Sequence, residues 1–510
     1  MQGKKDFTLK LFYELSLDRL VPQEDYYRKI SKAINFYFLY PSTKHYYGTE
    51  GNESIAPVVF FKMCMVGYLN NLYSDRSLIR FCTDSLSVRL FLGYDLDENL
   101  PCHSTISRTR KLLGEEVFLS LFREVLRLCV EKGMVSGRRQ AMDSAFVKAN
   151  ASMNSLLEKE VLDDVEKYAD ELNEHSEYTV TPERKKRVEQ HHAYKARHTK
   201  DILGADGENA KFLSNHTHYS PTDPDSRIST KPGKPRNLNY SGQLSVDTSH
   251  HVITGVCADF SDKRDSQCLE KLCEITIDNL RENEMDMGEV LADTGYSSGS
   301  ALQYLDSKGI SAWIPNFGQF TPEREGFIYN KELNRYECQR GNKALLPFKN
   351  ARTDKNGYTR HIYRSCESVC KNCEYKEVCC GEKTKFKKIE QSEHYDLYMK
   401  NHIKRAQNEQ YAKRMSQLRS STVEPVLGTL INFMGMKKVN TRGMAQAEKH
   451  VLMASLCYNL KKLLKYKPKK EQVHVNYGML TGKFVQSSFF SFLDFLRLIF
   501  IRFKQPNFGM

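Results

Sequence analysis

The chain has 510 residues, of which 40% are apolar or aromatic and 27% charged. That balance excludes a disordered or collagenous chain, and the length suits about three domains at roughly 150 residues each. Lys and Arg outnumber Asp and Glu by 76 to 63, a formal charge of +13 that favours polyanionic partners. No apolar run reaches the roughly 18 to 20 residues that span a bilayer, and MQGKKDFTLK lacks the apolar core of a signal peptide. A cytoplasmic protein with no membrane association is the expectation.

Residues 1–135 read as an all-helical front domain, because FTLKLFYELSLDRL, DYYRKISKAINFYFLY, APVVFFKMCMVGYLNNLY, SDRSLIRFCTDSLSVRLFLG and GEEVFLSLFREVLRLCVEKG repeat apolar residues every three or four positions. Between the last two lies LPCHSTISRTRKLLG, where Ser104 would cap a short helix presenting Arg108, Arg110 and Lys111. A DNA reader of the helix-turn-helix kind has this character, and so does a solvated helix. At Arg138 the pattern changes to RRQAMDSAFVKANAS, a strand that opens a second domain, 136–320. Residues 152–236 turn polar, as a charged helical insertion and loop would; Lys185 and Lys186 lie in its basic run, which suits phosphate contact or a solvated face.

LNYSGQLSVDTSHHVITGVCADFS then predicts a β-hairpin, followed by helix, strand, helix and strand, hence a mixed α/β sheet. A cysteine-rich insertion takes 321–390, and helices return over 391–465. The tail, 466–510, is basic and amphipathic; Asp494, Arg497 and Arg502 interrupt its apolar run at spacings that suit a packing or partner-binding helix.

Asp is ill-suited to strands and costly to bury unpaired, so Asp143 in AMDSAFV and Asp293 in VLADTGYSS need a reason. If the two strands are neighbours the carboxylates meet, and such a pair invites a divalent cation. Glu424, bordering the apolar stripe Val423, Val426, Leu427, Leu430, Ile431 and Met434, is the candidate third acid, near a helix start because Pro425 is tolerated only in a first turn. Against this stands the ease of choosing three among 63 acidic residues.

Six of the 14 cysteines cluster between Cys338 and Cys380. Cys370 and Cys373 form a C-x-x-C pair, Cys379 follows, and Cys338 completes a set of four thiolates suited to a structural zinc in a zinc-ribbon-like piece too small for its own core. Cys380 can replace Cys379, and Cys366 can displace Cys338; an iron–sulfur cluster and unligated thiols are the alternatives.

The series SLDRLVPQEDYYRKI, HSTISRTRKLLG, AMDSAFVKANAS, YSGQLSVDTSHHVITGV, LADTGYSS, TVEPVLGTLINFMGMKKVNTRG and CYNLKKLL resembles DDE transposases of bacterial insertion sequences, over roughly residues 15 to 465. The cysteine-rich insertion makes it most similar to the group named after insertion sequence eleven-eighty-two. The resemblance implies an RNase H-like catalytic domain in an overall α+β or mixed α/β protein, with Asp143, Asp293 and Glu424 as the catalytic acids. It implies double-stranded DNA partners, element terminal repeats and target, a homodimer or higher oligomer on DNA, and association with the bacterial nucleoid. Hard oxygen ligands select Mg²⁺ or Mn²⁺, and two such ions activate a water or 3′-hydroxyl and stabilise the leaving oxygen. Asp143 would bridge both, with Asp293 and Glu424 holding one each. Relatives often carry a Lys seven residues after the Glu; here that position is Ile431, so the role of that Lys is absent or supplied by another residue such as Lys437, Lys438 or Arg442, the last an expected DNA contact. The other readings are a catalytically inactive transposase-derived DNA-binding protein or regulator, and a zinc-ribbon nucleic-acid adaptor, which leaves the acidic strands unexplained.

Overall fold

The computed structural model describes residues 15–159, 213–229 and 235–467, apart from residues 49, 51, 52, 216, 319, 321, 323, 355, 356 and 382. Lys185 and Lys186, most of the charged insertion, and the amphipathic tail from 468 onward lie outside the described residues.

The front of the chain is helical: α1 (Leu17–Leu20), α2 (Tyr26–Ala33), α3 (Leu39–Thr43), α4 (Pro57–Leu69), α5 (Asp75–Asp84), α6 (Leu86–Leu92), α7 (His103–Leu112) and α8 (Glu115–Glu131). Local chemistry sets the ends. Pro57 opens α4, the Ser74 and Ser85 hydroxyls accept the Ser77 and Val88 amides, and Gly93 at φ +83° stops α6. Helix α4 is apolar on nearly every side and is buried accordingly, from Phe60 through Val66 apart from Lys62. The expected cap of α7 is corrected: Cys102 occupies that position, and Ser104 lies inside the first turn. The Ser104 and Thr105 hydroxyls face the Cys102 thiol instead and draw its pKa down to about 6.

Next come β1 (Arg139–Lys148), the short pair β2 (Leu157–Glu158) and β3 (His218–Tyr219), β4 (Arg227–Ser229), and the expected hairpin β5 (Asn237–Asp247) and β6 (Ile253–Phe260). Helix α9 (Asp265–Arg281), β7 (Glu289–Leu291), α10 (Gly299–Ser307) and β8 (Ser311–Trp313) follow. The main sheet runs β6-β5-β1-β7-β8, with β4 sharing the outer edge of β5. β1 and β6 are antiparallel to β5, whereas β7 is parallel to β1 and β8 to β7.

The cysteine-rich insertion is a second antiparallel sheet, β9 (Phe327–Asn330), β10 (Arg335–Cys338), β11 (Leu345–Thr353), β12 (Thr359–Arg364) and β13 (Lys388–Ser392), with α11 (Glu367–Lys371) and α12 (Lys376–Cys380) between the last two strands. It has a core of its own, Tyr336, Leu346, Tyr363 and Ile389, with the three rings of Tyr329, Tyr336 and Tyr363 packed on one another. The expectation of a piece too small for a core is therefore corrected: its alternating Tyr, Ile and Leu residues make a sheet that buries them against one another.

Three helices close the chain: α13 (Tyr395–Gln407), α14 (Glu409–Phe433) and α15 (Met444–Lys465). The break falls at Asn408, and α14 runs unbroken through Pro425, so Glu424 stands mid-helix rather than at a start. Helix α15 packs against α8, α4 and β6. Two glycines let helices approach both faces of the sheet: a Cβ at Gly242 would lie 2.7 Å from Met436 Cε and 3.4 Å from Val451, and one at Gly255 would lie 2.1 Å from Thr276 Oγ1 of α9. One apolar cluster runs from Tyr27 and α4 through α8, β1, β5 and β6 to α15, so front helices and sheet share a core.

Candidate active site

Ala141 of β1 pairs in parallel with Leu291 of β7, and Asp143 and Asp293 each follow two residues later. The strand register thus sets the two carboxylates side by side. Residues 143, 145 and 147 share a sheet face with Gly242, the face on which α14 lies. Asp143 Oδ1 accepts its neighbour's amide, Ser144 N–H, at 2.8 Å, and Asp293 Oδ1 accepts that of Gly295 at 2.8 Å, capping a single 3₁₀ turn. Burial lifts the Asp143 carboxyl above the ordinary aspartate range; the Ser144 amide and a guanidinium pull it down, and the charge of Asp293 adds to the rise.

That guanidinium belongs to Arg419. Its Nη1 donates to Asp143 Oδ2 at 2.8 Å and its Nη2 to Glu424 Oε1 at 3.1 Å. The Arg419 and Asp143 side chains are 14% and 19% exposed, against 58% for Glu424. One arginine therefore links the first and third of the expected acids.

Beneath them lies Tyr296, whose hydroxyl donates to Gln243, while the Gln243 amide donates to Asp265 Oδ1 at 3.0 Å. Burial holds the Tyr296 phenol protonated, reinforced by the charges of Asp265, Asp143 and Asp293. A fourth acid, Asp265, thus borders the site. Sequence reasoning missed both it and Arg419. An Asp in the first turn of a helix is ordinary, so Asp265 carried no signal. Arg419 did: Ala412, Met415, Thr422, Val423, Val426 and Leu430 make the buried stripe of α14, and Arg419 fills the place between Met415 and Thr422 where an apolar residue belongs.

The donors are hard oxygens around a buried carboxyl that already holds a cation, so the residues fit a divalent metal. Among the described residues no three His, Cys, Asp or Glu side chains are drawn together closely enough to hold one as they stand, and Arg419 stands between Asp143 and Glu424.

A cleft of about 650 Å³ lies between the two sheets, bordered by Ser144 and Phe146 on the face of β1 opposite Asp143, with none of the three acids in its lining. Ser144, Asp265 and Gly295 form one side, Phe317, Tyr358 and Arg360 another, and Lys263 and Arg264 reach it as well. In the insertion, Cys338, Cys370, Cys373, Cys379 and Cys380 line a separate cavity of about 180 Å³, whereas Cys366 is exposed and does not line it. Cys370 Sγ lies 3.0 Å from the Ser365 hydroxyl and Cys338 Sγ 3.2 Å from the Arg340 carbonyl. Burial, with the neighbouring Cys379, pushes the Cys380 thiol up to about 11. These sulfurs face one space without converging on a cage.

Of the expected DNA contacts, Arg108, Lys111 and Arg442 are exposed. Arg110 is not available and is corrected: its guanidinium makes a two-pronged pair with Asp75 at 3.0 and 2.7 Å, the two side chains 11% and 17% exposed, and it locks α7 to α5. Lys437 and Lys438 follow α14 along the end of β1, where the Lys148 amide donates to the Lys437 carbonyl at 3.1 Å.

Two family models match. The one described as Transposase domain (DUF772) covers residues 15–112, and the one described as Transposase DDE domain covers residues 337–464. A comparison with curated proteins finds no match. The second model covers most of the insertion, Glu424 and the closing helix, the first the helical front, in the order the motifs require, and together they support a DDE transposase of insertion sequences.

Proposed function

We propose that this DNA transposase binds the ends of its element, cuts them and joins them to target DNA, within an RNase H-like domain running in two parts, 136–320 and 391–465, around the cysteine-rich insertion. The observation that carries the reading is Asp143 within β1 and Asp293 two residues past the end of the parallel neighbour β7, with Glu424 tied to Asp143 through Arg419. The strand order, three antiparallel strands followed by two parallel ones, supports the fold assignment. The eleven-eighty-two group remains our assignment on the insertion alone.

Asp143, Asp293 and Glu424 would hold Mg²⁺ or Mn²⁺, which supplies activation of a water or 3′-hydroxyl and stabilisation of the departing oxygen. The protein provides no covalent nucleophile and its task is placement. Ser144 and Gly295 amides fix the two aspartates, and burial keeps water from screening Asp143. The cleft offers aromatic faces and cations of the kind that hold a nucleic-acid strand. Arg108 and Lys111 of α7, with Lys438 and Lys148, give a duplex a path to the acids; Lys148 lies five residues past Asp143, about 17 Å along the strand at roughly 3.3 Å per residue. Zinc in the cysteine cavity, held by Cys338, Cys370, Cys373 and Cys379, would stiffen α11 and α12 without entering the reaction.

The test is Mg²⁺-dependent cleavage of element-end DNA by Asp143→Asn, Asp293→Asn and Glu424→Gln variants. Each should lose cleavage by a factor of at least about 10³ while retaining DNA binding. Wild-type rates in all three would remove the assignment and favour a DNA-binding regulator.

A further inference from the structure

We infer that Arg419 is a built-in counter-ion of the acidic site, which the metal must displace, and that this displacement makes metal loading depend on DNA. The inference rests on the proposed catalytic reading and deepens it. Among the described residues Arg419 is the one that bonds to two of the three acids, at 2.8 and 3.1 Å, and it does so from a largely buried position on the same helix as Glu424. A guanidinium cannot shed its charge, so it leaves only by moving.

The guanidinium and a metal would compete for the same carboxylates. Asp143 Oδ1 is taken by the Ser144 amide and Oδ2 by Arg419, and Glu424 Oε1 by the same guanidinium. A cation shared by Asp143 and Glu424 would take oxygens that Arg419 now holds, and two positive charges would then face each other across a few ångströms at a poorly solvated site. Metal loading of the free protein therefore carries the cost of breaking two charge-assisted hydrogen bonds. Arriving DNA changes that balance, because a phosphate beside the acids gives the released guanidinium a new partner. DNA and metal then favour each other's binding, and the coupling is reciprocal. An empty-handed transposase stays partly neutralised and poorly loaded, which keeps an unbound nuclease idle.

The test measures Mn²⁺ binding to the full chain from the electron paramagnetic resonance signal of the free ion, with and without an element-end duplex lacking the scissile linkage. Arg419→Gln should bind Mn²⁺ roughly tenfold more tightly than wild type in the absence of DNA, and should show a smaller gain when DNA is added, although its cleavage falls. Weaker or unchanged Mn²⁺ binding in a folded Arg419→Gln chain would overturn the inference, since the arginine would then be arranging the acids for metal. Arg419→Lys, which keeps the charge and one donor, serves if the glutamine variant does not fold, and should fall between the two. Asp143→Asn separates this failure from failure of the catalytic reading: if it leaves Mn²⁺ binding intact, the metal is not held by these acids.

Discussion

At the scale of single residues, buried charge decides what the basic side chains do. Arg110 and Arg108 are two positions apart on α7, yet one is clamped to Asp75 and the other faces outward. Replacing Arg110 with Ala leaves Asp75 charged and short of its partner, and should cost roughly 3 kcal/mol of stability. Urea unfolding checks it, and a loss below about 0.5 kcal/mol would show the clamp to be idle. Arg108→Ala should leave stability unchanged and lower the ratio of affinity for element ends over random duplex; an unchanged ratio would make α7 an assembly element. The sequence distinguished neither fate, because all three cations of HSTISRTRKLLG look polar and the residue that captures Arg110 lies 35 positions away. Asp143 and Asp293 were legible for the opposite reason: an acid in an apolar stretch is locally anomalous, although only Asp143 lies within its strand and Asp293 caps the turn just after β7.

At the scale of elements, α15 carries two titrating groups that oppose each other. Burial pushes Glu448 up to about 7 while its Oε2 accepts the Ala258 amide at 2.6 Å, and burial holds His450 down to about 4 beside the Tyr68 hydroxyl at 2.8 Å. Unfolded, they titrate near roughly 4.3 and 6.5. Glu448 is raised, so its contribution is full below the unfolded value and is lost as pH climbs through 7. His450 is lowered, so its contribution is present above the unfolded value and is lost as pH falls through 4. Between those limits the two slopes offset. Relative to wild type, Glu448→Gln should lose about 3 kcal/mol more on going from pH 7 to 4.5, and His450→Gln should show the reverse slope. Parallel stability curves would refute both.

The insertion gives another element-scale expectation: if zinc occupies the cysteine cavity, purified protein carries about one zinc. Chelation, or Cys373→Ser, should then expose residues 366–380 to protease while β9 to β13 stay protected by their tyrosine core. Loss of the whole sheet would mean that metal, not packing, holds it. Helices, the hairpin and the succession of strands along the chain were readable because their periodicities are local. The course of α14 through Pro425 was not, since a proline's missing donor and ring clash are tolerated only when packing on both sides fixes the helix, and packing is what a sequence does not display.

At the scale of the whole molecule, the net charge of +13 predicts DNA binding that weakens steeply with salt. Lys148→Ala with Lys438→Ala should flatten the slope of log affinity against log salt by roughly 1 to 2 and weaken element-end and random duplex alike. An unchanged slope would move the DNA path away from the end of β1. The shared core has a temporal consequence as well. Helix α15 fills the space between α8, α4 and β6, and it is made after all of them. With roughly 330 residues between the end of α8 and the end of α15, synthesis at about 5–20 residues per second leaves the apolar faces of α8 without their cover for about 15 to 70 seconds. The apolar core of the growing chain is therefore completed only once its last described helix has left the ribosome. A chain stopped before Met444 should remain protease-sensitive from α4 to β6, however long it is incubated.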